Sequence, residues 1–336
     1  MNNLRQTGRI RNGEATKSRR NARYRLADVA ELYWMQDMTV AAIGTKLGIS
    51  RSTVSRLLAQ ARERNIIEFV INREEDSTQE LRDRLRDLFH IHVTVSNTSD
   101  TADADIRRFL VGQDTARLLS RLARPNMTIG VAWGRTMESV SLHLTQQDAH
   151  GIQIVQLHGF GDSYLYGESY VTKVLNRFGE SLNARVHLFP VPAIFDSEAA
   201  HNLMWQERSV RRILALRRTL DLTVASLGAP QGVTPSALFT PGVLQQSDID
   251  ELHNEHVVGN FASTFFRQDG STGGISVNNR STGMSRQELM RVPIRLFTVA
   301  DPSKAKALRV ALNAGFATHL VVDRATARQL LLMQHL

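Results

Sequence analysis

The spacing of apolar positions changes period along the chain. From Tyr24 to Asp37, the residues Leu26, Val29, Ala30, Tyr33 and Trp34 recur at three- and four-residue intervals, the mark of one helix face. Residues 39–58, TVAAIGTKLGISRSTVSRLL, predict two further short helices meeting at a tight turn. Ile43 and Leu47 form the apolar ridge of the first, Gly48 permits the turn, and Ile49, Val54 and Leu57 seat the second. Gly44 faces the second helix where the axes cross. The run Ile66-Ile67-Glu68-Phe69-Val70-Ile71 is rich in β-branched residues and predicts a strand or short wing, with this domain ending near Arg73.

Asp76 to His90 follows as a linker helix, in which Leu81, Leu85 and Leu88 repeat at i, i+4 and i+7 between charged residues. Such a helix either pairs with its twin in a second chain or lies on the next domain. From Ile91 onward, short β-rich runs alternate with helical stretches. The predicted strands are Ile91 to Val95, Thr128 to Trp133, Ile152 to Leu157, Val186 to Val191, Leu222 to Leu227, Ile294 to Ala300 and Leu320 to Val322. The predicted helices are Asp105 to Leu122, Met137 to Leu144, Tyr170 to Phe178, Trp205 to Leu220, Lys304 to Asn313 and Ala325 to Gln334. This alternation predicts an α/β fold: a (winged) helix-turn-helix domain followed by a doubly wound, mostly parallel α/β domain. Ligands of such sheets settle beyond the carboxyl ends of the strands.

Charge sharpens the division. Of the net +8, residues 1–25 hold +7, with eight Lys or Arg against Glu14 alone. A basic arm beside a groove-reading helix pair adds salt-sensitive attraction to phosphates. The chain is therefore read as a flexible arm (1–22), a helix-turn-helix domain (23–73), a linker helix (74–90) and a second domain (91–336). No apolar run approaches the roughly 20 residues that cross a bilayer, and the first residues lack the apolar core of a signal peptide, so a cytoplasmic protein is expected. The absence of cysteine excludes disulfides and thiolate-bound zinc. The eleven histidines are scattered; His90 and His92, two apart, come nearest to a metal pair, and neither metal nor cofactor is expected.

The candidate chemistry lies in two places. Thr39 and the segment Ser50, Arg51, Ser52, Thr53, Ser55 and Arg56 are candidates for contact with DNA, with Ser50 capping the second helix. Arginines there can pair with guanine edges, and hydroxyls can hold bases or phosphates. In the second domain, Gly134, Arg135 and Thr136 open a helix after a strand and suit an anion. His158 and Gly159 follow the next strand, Lys304 stands at a late helix start, and Asp269 begins a glycine-rich run to Gly274 suited to closing a pocket. No loop gathers a carboxylate and histidine set for acid-base catalysis, and no nucleophile or metal carboxylate cluster suits DNA processing.

The chain from about Tyr24 onward resembles the SorC family of sugar-responsive bacterial transcription regulators. The likeness rests on GISRSTVSRLLAQARERNII, GVAWGRTM, FPVPAIFDS, LTVASLGAP, GNFASTFFRQDG and VADPSKAKALRVALNAGFATHLVVDRATARQLL, in that order. It implies a winged helix-turn-helix joined to an effector domain related to sugar-phosphate isomerases, working on operator DNA as a homodimer or homotetramer. It further implies a phosphorylated sugar or polyol effector, with Gly134 and Thr136 facing phosphate and Lys304 nearby. Two departures stand out. Asp301-Pro302 replaces the family's paired glycines, and Arg267 follows Phe265-Phe266 where an acid is usual. The arginine is expected to favour a more anionic ligand, and Asp301 to disfavour phosphate close by. The competing reading is a sugar-phosphate isomerase or lyase carrying a DNA-binding appendage.

Overall fold

The computed structural model describes residues 26–36, 38–64, 66–67, 77–161, 168–230, 237–239 and 243–333. They divide into two compact units, one within residues 1–75 and one within 76–336. In the first, helix α1 (26–34) turns Leu26, Val29, Ala30 and Leu32 inward. Helices α2 (Val40–Leu47) and α3 (Arg51–Glu63) close a core of Val29, Leu32, Ile43, Val54 and Leu58. Thr39 caps α2 by accepting the Ala42 N–H, and Ser50 caps α3 by accepting that of Thr53. Gly48 ends α2 in the left-handed region with φ 66°. At Gly44 a methyl group would stand 2.8 Å from the Ile49 carbonyl oxygen, so the turn folds back on α2 only over a glycine.

Three details of this unit differ from expectation. Tyr33 is exposed, and Leu32 takes its inward place. Leu47 is also exposed, because the reversal at Gly48 begins just beyond it. Leu57 is half-buried at the margin of a stripe whose centre is Val54, Leu58 and Ala61, the i, i+4, i+7 set. Ile66 and Ile67 form a bend; the rest of the expected strand or wing (68–71) and the basic arm lie outside the described residues.

The second unit opens with α4 (Thr78–Phe89), started by a capping box between Ser77 and Glu80. Leu81 and Leu85 are fully buried in this unit's core, leaving Leu88 partly exposed. Among the described residues ten strands follow: β1 (His92–Ser96), β2 (Thr128–Val131), β3 (Gln153–Gln156), β4 (Arg185–His187), β5 (Leu222–Ala225), β6 (Leu227–Gly228), β7 (Val257–Phe261), β8 (Thr264–Arg267), β9 (Ile294–Val299) and β10 (His319–Asp323). Seven form a parallel sheet in the order β1-β10-β9-β5-β2-β3-β4. The helices around it are α5 (Ala104–Leu122), α6 (Arg135–His143), α7 (Glu168–Ser181), α8 (Glu198–Met204), α9 (Arg208–Arg217), α10 (Gln246–Asn254), α11 (Arg286–Arg291), α12 (Ala305–Asn313) and α13 (Arg324–Leu332). β2 and β5 are buried at every position, as strands covered on both faces must be.

From β2 the chain winds outward to β3 and β4, whereas from β5 it winds the other way to β9 and β10. The β2–β5 boundary is thus a topological switch point, where diverging loops leave a crevice at the carboxyl ends. The predicted strand Leu222–Leu227 breaks at Ser226. Its second part, β6, joins the antiparallel sheet β6-β7-β8, which sequence periodicity did not reveal.

Because Leu85 has no exposed surface, Leu85→Ala is expected to destabilise the second unit by about 2–5 kcal/mol. Urea denaturation of the full chain checks this, and the loss should not depend on protein concentration. A loss that vanishes on dilution would mean that the leucines serve chain pairing instead.

Candidate functional site

In the first unit, Thr39, Ser50, Arg51, Ser52, Ser55 and Arg56 are exposed and Thr53 is half-buried. Ser50 Oγ lies 2.9 Å from Ser52 Oγ and 2.8 Å from Thr53 Oγ1, so a small hydroxyl network crowns the start of α3. Arg51 and Arg56 flank it on the polar side of the helix, opposite Val54, Leu58 and Ala61. This face offers hydroxyl and guanidinium donors with no apolar residue between them. It has the chemistry of a helix that enters a DNA groove.

In the second unit, the loops after β2, β5 and β9 meet over a cavity of ≈ 350 Å³ at the switch point. Gly134 stands at the start of α6 with φ 131°, a backbone region only glycine enters readily, and no side chain caps the helix. The first N–H groups of α6 are therefore available to an anion. Helix α5 brings its own first turn to the same cavity through Ala104, Arg107 and Arg108. The two helices cross at Gly112, where Ser139 fills the space a side chain would need and donates to the Arg108 carbonyl at 2.9 Å.

Charge in the cavity is one-sided. Arg107, Arg108, Arg135 and Lys304 line it against the single carboxylate of Asp301. Lys304 Nζ donates to the Leu227 carbonyl at 3.0 Å. Burial pushes the ammonium below its usual range; Asp301 opposes that shift, while Arg135 and Arg108 add to it. Asp301 accepts from the Ser303 N–H at 3.0 Å and the Ser303 hydroxyl at 2.6 Å, which opens the helical turn carrying Lys304. Its charge favours the charged lysine against that burial, so its effect is not simply to repel an anion.

A different wall is neutral and aromatic. The His158 ring stacks on Trp133 with centroids 4.8 Å apart, and its Nδ1 lies 2.7 Å from Ser263 Oγ. Gly159 does not line the cavity. Its N–H donates to Thr282 Oγ1 at 2.9 Å and its carbonyl accepts from Trp133 Nε1 at 2.8 Å, so it fixes the stacked pair from behind. Ser226 and Asn260 also line the cavity, and Ser226 Oγ and Asn260 Nδ2 are buried without a hydrogen-bond partner.

The structure thus brings Gly134, Arg135, Thr136, His158 and Lys304 together. Asp269 is elsewhere, in a second cleft with Arg267 and Lys306, where it accepts the Ser271 N–H at 2.9 Å. The glycine-rich run turns back on β8 and does not close the cavity. Arg267 is likewise turned away, held by Glu255 at 2.9 Å and by the Gly273 carbonyl at 2.7 Å, so it adds no charge to the anion site. Sequence reasoning missed Arg107, Arg108, Asn260 and Ser263. The adjacent arginines near the start of α5 were a signal; the other two depend on a hairpin that was not predicted. His90 caps the end of α4 in the left-handed region, and His92 stacks on His319 at 4.5 Å, so these histidines do not form a joint ligand pair. Among the described residues no group of three or more His, Asp or Glu could hold a metal ion, and no helix is long and apolar enough to cross a membrane.

Comparison with known proteins agrees with both halves. Residues 74–332 match the family described as "Putative sugar-binding domain", and residues 25–64 match "Sigma-70, region 4". The sorbitol operon regulator of Klebsiella pneumoniae is 27% identical over 310 residues, covering 91% of this chain and 97% of that protein. The deoxyribonucleoside regulator of Bacillus subtilis (strain 168) is 26% identical over 309 residues, covering 90% and 96%. Among solved structures, a domain of a possible sugar-binding transcriptional regulator from Arthrobacter aurescens TC1 is 38% identical with a TM-score of 0.72, covering 77% of this chain and 99% of that one. The full-length SorC structure from Klebsiella pneumoniae gives 0.68 at 26% identity, covering 93% and 99%.

His158 supplies a check on the wall. Burial, and then the charge of Arg217, push its imidazole down from 6.5 to about 3. The unfolded chain takes up this proton as pH falls below about 6.5 and the folded chain does not, so the stability is complete above that value and is lost progressively toward about 3. Between pH 7 and 4, the wild-type urea midpoint should fall more steeply than that of His158→Gln. Parallel curves would contradict a buried neutral imidazole.

Proposed function

The chain belongs to the SorC family of sugar-binding bacterial transcriptional regulators, and from that premise we propose that its cavity binds a small phosphorylated sugar or polyol that changes its affinity for operator DNA. The observation that carries the ligand class is the cavity itself. It joins the uncapped N-terminus of α6 and four cations to unpartnered hydroxyl and amide groups. An anionic head would settle among Arg107, Arg108, Arg135, Lys304 and the uncapped start of α6. A hydroxylated body would supply the partners that Ser226 and Asn260 lack.

Helix α3 then reads the operator through Arg51, Ser52, Thr53, Ser55 and Arg56, with Thr39 and Ser50 near the backbone. Two such helices, in a homodimer or in pairs within a homotetramer, would read half-sites in a cytoplasmic complex. The ligand acts by binding one arrangement of the assembly better than another, which is all that a shift in DNA affinity requires. The cavity's ionisable groups favour binding over turnover. Its carboxylate is engaged with Ser303 and its histidine is neutral and hydrogen-bonded, so neither is poised as the base that an isomerase or lyase needs.

Two variants separate the halves. Arg56→Ala should weaken operator binding by about 1–3 kcal/mol, read by fluorescence anisotropy, while leaving the thermal shift with sugar phosphates intact. Lys304→Met should abolish that thermal shift and the ligand response while the ligand-free chain still binds operator. The proposal fails if no phosphorylated sugar or polyol raises the melting temperature, or if neither Arg51→Ala nor Arg56→Ala changes operator binding.

A further inference from the structure

The hairpin between β7 and β8 turns in two residues, Ala262 and Ser263, with φ 42° and 68°. Two positive φ values in succession make the turn that suits a right-twisted hairpin, and Asn-Gly is the pair that adopts it without strain. Here the pair is Ala-Ser, and both residues line the cavity. Non-glycine residues persist in this region only where the surroundings over-determine them. Those surroundings are visible. Ser281 Oγ donates to the Ser263 carbonyl at 2.6 Å, and the Gly283 backbone lies so close to the Ala262 carbonyl that a methyl group there would stand 2.1 Å from it. Behind this segment, the buried guanidinium of Arg217 donates to the Thr282 and Gly283 carbonyls at 2.9 Å each.

What the clamped turn presents is one hydroxyl. Ser263 Oγ lies 2.7 Å from His158 Nδ1, so the serine is hydrogen-bonded to the imidazole and holds the ring in place on the cavity wall. Trp133, His158 and Ser263 form one continuous stretch of the cavity wall, joined by the ring stack and the Ser263–His158 hydrogen bond. That stretch is uncharged, and the cations of the lining stand on other segments, α5, the start of α6 and the turn carrying Lys304. The cavity thus offers a cationic end and an uncharged end.

We infer that Ser263 is the specificity-determining residue of this cavity: held by the strained turn, it makes the uncharged end select a hydroxyl group and reject a second phosphate. This rests on the reading of the cavity as the effector site. A second phosphate at the uncharged end would have to shed its water against a neutral imidazole and an aromatic ring, with no cation to replace the lost solvation. A hydroxyl there can both donate and accept, and it completes the set that the imidazole and Asn260 leave open.

The test measures the full chain's affinity for inorganic phosphate, fructose 6-phosphate, sorbitol 6-phosphate and fructose 1,6-bisphosphate by calorimetry. Wild type should bind at least one monophosphate more tightly than both inorganic phosphate and the bisphosphate. Ser263→Ala and Ser263→Gly should each lose about tenfold in monophosphate affinity, on the scale of one buried hydrogen bond, with inorganic phosphate unaffected. Ser263→Gly accepts the left-handed turn without strain, so a loss there cannot come from a misfolded hairpin. The inference is overturned if wild type binds the bisphosphate best, if no sugar phosphate exceeds inorganic phosphate, or if Ser263→Gly keeps the wild-type preference. Failure of the underlying reading looks different: inorganic phosphate then binds no less tightly to Lys304→Met than to wild type.

Discussion

Four cations held around one carboxylate at the mouth of a parallel sheet form the constraint on which the rest of the second unit depends. Like charges confined near low-dielectric walls repel, and such an arrangement costs free energy until an anion fills it. The fold sustains it by anchoring three of these groups through their own hydrogen bonds and ion pairs. Arg108 is paired with Asp105 at 2.5 Å, Lys304 rests on the Leu227 carbonyl, and Asp301 is tied down by Ser303. The α5–α6 crossing at Gly112 then brings two helix N-termini to the same point. An anion that enters meets donors already in place, so little reorganisation is required.

The same anchoring explains the neutral end. His158 is held between Trp133 and Ser263 with Arg217 behind it. Burial decides its state, and it remains a hydrogen-bonding group without charge. Arg217 bonds the Thr282 and Gly283 carbonyls, and it also pairs with Glu288 at 3.2 Å, so its buried charge is compensated. One arginine on α9 thus supports both the strained turn and the wall it presents. On the proposed function, the anionic and hydroxyl groups of the ligand would be read by different elements of one crevice.

Much of this was legible in the sequence. Each of the seven predicted strands overlaps a strand of the main sheet, because parallel strands buried on both faces read as unbroken apolar runs. The helix-turn-helix was equally plain, since Gly44, Gly48 and Ser50 each answer a local geometric demand. Local signals also marked Gly134 and Lys304, which the structure places on one cavity. What failed depended on tertiary context. Ala262-Ser263 lacks the Asn-Gly signature, so the hairpin and with it Asn260 and Ser263 went unseen. Asp269 was assigned to the ligand because its glycine-rich run promised closure, whereas Arg267 and Ser271 fold that run back on itself. Helices α8 and α11, of seven and six residues, are too short for periodicity to declare them.

On the proposed function, occupancy of this cavity and occupancy of the DNA-reading helix are thermodynamically linked. Linkage is reciprocal: a ligand that changes operator affinity by some factor must find its own affinity changed by the same factor when operator is bound. The most direct measurement is therefore the affinity of a sugar phosphate for the free chain and for the operator-bound chain, by calorimetry at one salt concentration. The account predicts two different values, in the ratio by which that ligand shifts operator binding. Equal affinities in the two states would contradict it.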